Sequence, residues 1–221
     1  MDLTPILDII GQGIYVLQAV TAVQGLFLVI LILRRIAIKR FSSQSAADAF
    51  FGDVRDQVAA RRFDEVAQLC DSPPYWSKAT PQLILVALAH RDRPLPKLKA
   101  LLAERFSTDV IADIEYRLAW INTIVKTAPM LGLPCTVLGM ISAFAKIASR
   151  QKSGIDPSDL AQDISFALWT TAIGLLIAIP LVIAGSAIQV RISKLQDSVQ
   201  RQLGEFLEML DAASSEGRRK T

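Results

Sequence analysis

The sequence is poor in the residues that build metal, redox and nucleophilic sites. Its 221 residues include two cysteines, Cys70 and Cys135, and one histidine, His90. Two thiols this far apart make neither a disulfide framework nor a CxxC metal motif, and they read as buried and unpaired. A single histidine beside Arg91, Asp92 and Arg93 lacks the partners that a metal site or a His-dependent triad needs, and reads as a solvated helix-end residue. No nucleophile–base pair or phosphate loop is visible, so a membrane enzyme is the weakest function class, and no cofactor, metal or catalytic residue is expected. The net charge of +3, from 24 Lys+Arg and 21 Asp+Glu, is too small an excess to suggest nucleic acid. With 52% hydrophobic residues the chain is too apolar for a disordered protein. Charge is also missing locally, from three long runs.

Those runs are Ile9 to Leu33 (25 residues), Thr127 to Ala145 (19) and Ile164 to Val190 (27). At about 1.5 Å per residue even the shortest approaches the roughly 30 Å hydrocarbon thickness of a bilayer. Gly132, Pro134 and Gly139 in the middle run are poor helix formers in water but are tolerated in membrane helices. Met1–Asp8 carries two acids and no base, unlike a signal peptide, so the first run is expected to be a retained anchor. Arg34 to Lys126 holds 15 basic residues, Arg191 to Thr221 holds 6, Lys146 to Asp163 holds 3, and none precedes Arg34. The excess of positive charge marks the cytoplasmic side.

The expected organisation follows: residues 1–33, periplasmic N-terminus and first transmembrane helix; 34–126, cytoplasmic helical region; 127–145, second transmembrane helix; 146–163, short periplasmic loop; 164–190, third transmembrane helix; 191–221, cytoplasmic C-terminal helix and tail. Within 34–126, Ser45–Leu69 has the spacing of an amphipathic helix or helix-turn-helix, Ser72-Pro73-Pro74 interrupts it, and Pro81–Ala89 resumes helix. Arg93-Pro94-Leu95-Pro96 is expected to break the chain again before a long helix from Lys97. After the third run, Ile192, Leu195, Val199, Leu203, Phe206 and Leu210 recur every three or four residues, which predicts membrane helices prolonged into a cytoplasmic bundle. Ser214–Thr221 reads as a disordered polar tail. The fold class is therefore all-α: a membrane protein with three transmembrane helices, the last two extended into a cytoplasmic helical bundle.

The second run places Gly132, Thr136, Gly139 and Ala143 on one helical stripe, and the third does the same with Ala167, Thr171, Gly174 and Ala178. Each stripe is small and bears one hydroxyl. It either lets helices pack closely or lines a shared interior where Thr136 and Thr171 offer hydrogen bonds. Intramembrane proton relays generally use Asp, Glu or His, and none of the three runs contains one. Any titrating carboxylate must come from another subunit. Lys126 and Lys146, at the ends of the second run, read as snorkelling anchors.

Two stretches, Thr127-Ala-Pro-Met-Leu-Gly-Leu-Pro-Cys-Thr-Val-Leu-Gly-Met140 with Ser142-Ala-Phe144, and Ile164-Ser-Phe-Ala-Leu-Trp-Thr-Thr-Ala-Ile-Gly-Leu175 with Ala178-Ile-Pro180, resemble the MotA/TolQ/ExbB proton-channel family, the ExbB/TolQ branch most closely. The resemblance covers roughly Trp120 to Ala187. It implies a homopentamer in the bacterial inner membrane around an ExbD- or TolR-like single-span partner that carries the membrane aspartate. It also implies a TonB-like protein among the partners, and proton flow that drives movement of the inner helices. Thr136 and Thr171 match the family's pore-facing threonines. Phe166 departs from the pattern, standing where ExbB and TolQ proteins typically have a glutamate. The reading is an ion-driven motor subunit; a non-conducting scaffold ring that docks partner proteins is the alternative.

Overall fold

The computed structural model describes residues 4–149 and 157–219. They form seven α-helices: α1 (Thr4–Lys39), α2 (Gln44–Ala59), α3 (Phe63–Cys70), α4 (Ala79–Ala89), α5 (Leu95–Phe106), α6 (Ala112–Ser149) and α7 (Pro157–Arg219). A π-helical turn, Ser107–Ile111, joins α5 to α6. No strand occurs among the described residues, and three helices are long and apolar enough to cross a membrane. The protein is all-α.

The chain divides into two compact units. Unit one comprises Met1–Leu31 and Arg117–Ala187; unit two comprises Ile32–Tyr116 and Ile188–Thr221. In unit one, Tyr15 of α1 meets Phe166 of α7, Gln18 meets Thr170, and Gly25 faces Leu181. Numbers rise together, so α1 and α7 run parallel. Along α6 they run oppositely: Gly132 faces Thr171, Ala128 and Pro129 face Gly174, and Ile121 and Asn122 face Gly185. The helices of unit one meet through small side chains, with Ala128, Cys135, Ala143, Ala167 and Ala178 all buried. Val23, Phe27, Phe144, Trp169 and Leu176 point outward, each more than half exposed. In water such faces would aggregate; in lipid they are solvated. Without a hydrophobic driving force between helices in lipid, the small residues on the inner faces give close van der Waals contact instead.

Unit two is a conventional hydrophobic core. Its first short helix, α2, starts because the Ser43 hydroxyl accepts the Ala46 N–H at 3.1 Å, satisfying one of the otherwise unpaired N–H groups of the first turn. It then buries Ala47, Phe50, Phe51, Val54 and Val58. Of the two readings of Ser45–Leu69 the helix-turn-helix holds: Arg61, with φ of 58°, turns the chain in the left-handed region between α2 and α3. Phe50 packs 4.7 Å from the Tyr75 ring, and α4 is buried along most of its length. From α7 come Ile192, Leu195, Val199, Leu203, Phe206 and Leu210, all buried, with Thr80 donating to Gln202 Oε1 at 2.6 Å. The exposed Arg55–Glu205 pair, 2.7 Å apart, adds little by comparison, since solvent screens both charges.

Three local expectations change. The break before α5 holds, but the helix starts at Leu95 and not at Lys97, so Pro96 lies in its first turn, where proline lacks no hydrogen bond that the helix would use and its fixed φ suits helix entry. Ser214–Arg219 is helical, since α7 continues through Arg219; Lys220 and Thr221 lie outside the described residues. The 146–163 connection is shorter than expected, since α6 reaches Ser149 and α7 starts at Pro157; residues 150–156 lie outside the described residues. His90 caps the end of α4, its Nδ1 3.0 Å from the Val86 carbonyl oxygen. Cys70 and Cys135 are both free and buried.

Candidate functional site

Small residues bring α6 and α7 into backbone contact. A methyl group built on Gly132 would sit 2.6 Å from Thr171 Cα and 2.8 Å from its Oγ1. One built on Gly174 would sit 2.5 Å from the Ala128 carbonyl oxygen. Both glycines are there because no side chain fits. Of the other stripe residues, Ala143, Ala167 and Ala178 are buried and Gly139 is half-buried.

The threonines fall in different settings. Thr136 is half-buried and its hydroxyl donates back to the Leu133 carbonyl at 2.7 Å, a local bond that leaves the oxygen's lone pairs free to accept. Thr171 lies against Gly132, one helical turn before Thr136, and its Oγ1 is buried with no hydrogen-bond partner among the described residues. An unpaired hydroxyl is costly in an apolar interior, and at a crossing this tight it is a polar feature of the α6–α7 contact. Phe166 is 44% exposed, and its ring meets Tyr15 edge-on at 5.5 Å.

Sequence reasoning missed the neighbours of this pair. Thr170 is fully buried, its hydroxyl donating to the Ala167 carbonyl at 2.7 Å. Gln18 of α1 is also buried, and its Nε2 donates to the Thr170 carbonyl at 2.8 Å. A signal for Gln18 existed: Gln18, Gly25 and Ile32 are seven residues apart and all buried, one face of α1.

The region that contains this crossing also carries the chain's likeness to known proteins. The family model for the MotA/TolQ/ExbB proton channel family matches residues 78–201, more than half of the chain. The chain belongs to the MotA/TolQ/ExbB proton channel family. Among curated relatives, the Tol-Pal system protein TolQ of Haemophilus influenzae is 30% identical over 100 residues, 45% of this chain and 43% of TolQ. The biopolymer transport protein exbB1 of Vibrio cholerae is 49% identical over 55 residues, 25% of this chain and 24% of its own length. A biopolymer transport protein ExbB-like 2 of Helicobacter pylori is 39% identical over 67 residues, 30% of this chain and 43% of that protein. The matches span less than half the length of these relatives. They agree with the ExbB/TolQ branch, and the family match includes both α7 threonines, Thr136 and the Gly132 and Gly174 contacts.

Proposed function

We propose that this chain is the ring-forming, proton-conducting subunit of an inner-membrane complex of the ExbB–ExbD or TolQ–TolR type, converting ion-motive force into work on a periplasmic or outer-membrane process such as transport. The observation that carries this reading is the unpartnered Thr171 hydroxyl at a glycine-tight helix crossing, inside three apolar runs that contain no acid, base or histidine. Such runs offer hydroxyls and close packing but no Asp, Glu, Lys, Arg or His. A single-span ExbD- or TolR-like partner would bring the membrane aspartate into a homopentameric ring, with Thr136 and Thr171 along the ion path. Its role is conduction and coupling, with no chemistry of an enzyme.

The N-terminus is periplasmic in this reading, and 34–126 and the C-terminus are cytoplasmic. The parallel course of α1 and α7 and the opposed course of α6 support an odd number of crossings, and the basic residues support the sidedness. A TonB-like protein is the recipient of the work. The test is native mass spectrometry of the detergent-extracted complex co-expressed with its single-span partner. Five copies of this chain to two of the partner is the expected result; a monomer or dimer of this chain would count against the ring. The second reading, a scaffold ring that conducts nothing, draws on Phe166, whose ring packs on Tyr15 where the family's glutamate would stand. It predicts the same stoichiometry without proton flux.

A further inference from the structure

Two glycines of unit two sit in mid-helix without a packing partner. A methyl group built on Gly52 of α2 or Gly204 of α7 would meet nothing within 4 Å, unlike Gly132 and Gly174, whose places are set by neighbouring backbone. Each costs its helix about 1 kcal/mol relative to alanine and gains no close contact among the described residues. Gly204 opens into a groove of about 750 Å³ between α5 and α7. Its floor is apolar, with Leu102, Phe106, Leu203 and Leu207, and its exposed rim carries Lys99, Arg201 and one acid, Asp197. Lys99 and Arg201 make no ion pair among the described residues. Ser107 and Ile111 of the π-helical turn also line the groove, and such turns interrupt helices mostly at functional places.

The outward face of α2 has the opposite charge. With Phe50, Val54 and Val58 buried on the inner side, Gly52 and Asp56 fall one turn apart on the far side, flanked by Asp48 and Asp53. All four are exposed, and the three aspartates make no ion pair among the described residues. This face cannot enter the groove of its own chain. The inner side of α2 is held in the core, and its Arg55 meets Glu205 at 2.7 Å, about 100° around α7 from Gly204. A second copy has no such restriction.

We propose that α2 of one copy lies in the α5–α7 groove of the next, Gly52 beside Gly204 and the carboxylates of Asp53 and Asp56 beside Lys99 and Arg201. This rests on the ring-forming reading above and deepens it, by naming the faces through which neighbours join outside the membrane. Glycine on both sides lets the two helices approach closely, and the apolar floor is covered. Asp197 on the rim disfavours a register that sets an α2 carboxylate against it. The two patches are different surfaces of the chain, so the contact is head-to-tail, the kind that closes into rings.

The experiment uses full-length chains in membranes, co-expressed with the single-span partner. Gly52→Cys chains are mixed with Gly204→Cys chains and treated with a short bis-maleimide; both positions have room for a thiol, and Cys70 and Cys135 are buried. The expected result is cross-linked dimers from the mixture, none from either variant alone, and a ladder from the doubly substituted chain. Adding Asp53→Lys and Asp56→Lys to the Gly52→Cys chain should lower the yield about tenfold, and Lys99→Asp with Arg201→Asp in the other chain should restore it. No cross-link in the mixture, cross-linking of Gly52→Cys alone, or a yield indifferent to charge reversal overturns the proposal. Capture of the partner in place of a second copy, by a photo-cross-linker attached at Gly204→Cys, also overturns it. If the doubly substituted chain does not assemble, the mixture decides. Native mass spectrometry of the wild type separates the two levels: a ring without these cross-links removes this contact and leaves the ring reading standing, whereas a monomer or dimer removes both.

Discussion

Gly132 stands so close to Thr171 that a methyl group in its place would overlap the backbone of α7, 2.6 Å from Cα and 2.8 Å from N. The obstruction is main chain, so it cannot swing aside. Gly132→Ala is therefore expected to cost about 1–3 kcal/mol through overpacking and to lower the melting temperature of the purified complex. Gly185→Ala is the control: its added methyl would meet nothing nearer than 3.9 Å, and it should melt like the wild type. Equal melting of the two variants would show that α6 and α7 do not cross at Gly132.

Thr171→Val and Thr136→Val separate packing from conduction. Valine matches threonine in shape, and the Thr171 hydroxyl has no hydrogen bond to lose among the described residues. Thr171→Val is expected to change stability by no more than about 0.5 kcal/mol, to leave assembly intact and to abolish ion-coupled function. Thr136→Val removes a local bond to Leu133 and should behave alike. Normal coupling in both variants, measured by growth under conditions that need the energised process or by proton flux, would remove these residues from the ion path.

Arg61 is expected to prefer glycine. Its φ of 58° costs a residue with a Cβ about 1–2 kcal/mol, while its guanidinium donates to the Ala213 carbonyl at 2.9 Å from an exposed position. Substituting alanine removes the bond and keeps the strain; substituting glycine removes both. Arg61→Gly should therefore be more stable than Arg61→Ala by about 1 kcal/mol, measured by thermal melting. The reverse order would mean that the turn between α2 and α3 is not left-handed.

Burial pushes the Cys70 thiol up to about 12, from an ordinary value near 9. The folded state thus holds its proton where the unfolded chain would release it. The stabilisation is fully present below pH 9 and is lost progressively as pH rises from 9 towards 12. Cys70 should resist iodoacetamide at pH 8 in the folded protein and react on denaturation, read by mass spectrometry. Fast labelling in the folded state would contradict its burial.

The sequence announced the long helices plainly, because an uninterrupted apolar run has few alternatives. The seam from Ile192 to Leu210 was equally legible, since its three-to-four spacing survives as a buried face. Local geometry was harder. Pro96 reads as a breaker in isolation, and its acceptance in the first turn of α5 depends on where the helix starts. A helix-turn-helix over Ser45–Leu69 was legible, but the place of its turn was not, because arginine is not a turn residue and nothing in the composition marks Arg61 for a left-handed backbone. Glycine at 132 and 174 could be read as a small stripe, but which backbone each one faces is a tertiary fact. Gln18 was hidden for a different reason: in an apolar run a single amide reads as tolerated polarity until its carbonyl partner on another helix is known.

The parallel course of α1 and α7 against α6 has an electrostatic consequence. Each helix end carries about half an elementary charge, positive where N–H groups begin and negative where carbonyls finish. At the end of unit one where α1 and α7 start and α6 finishes, two positive ends meet one negative, which leaves about half a positive charge per chain. In a closed ring every copy would contribute with the same sign around one axis, so these residual charges would add. Such a rim would attract carboxylates. The backbone direction of three helices would therefore set a charge at the mouth of the ring before any ionised side chain is counted.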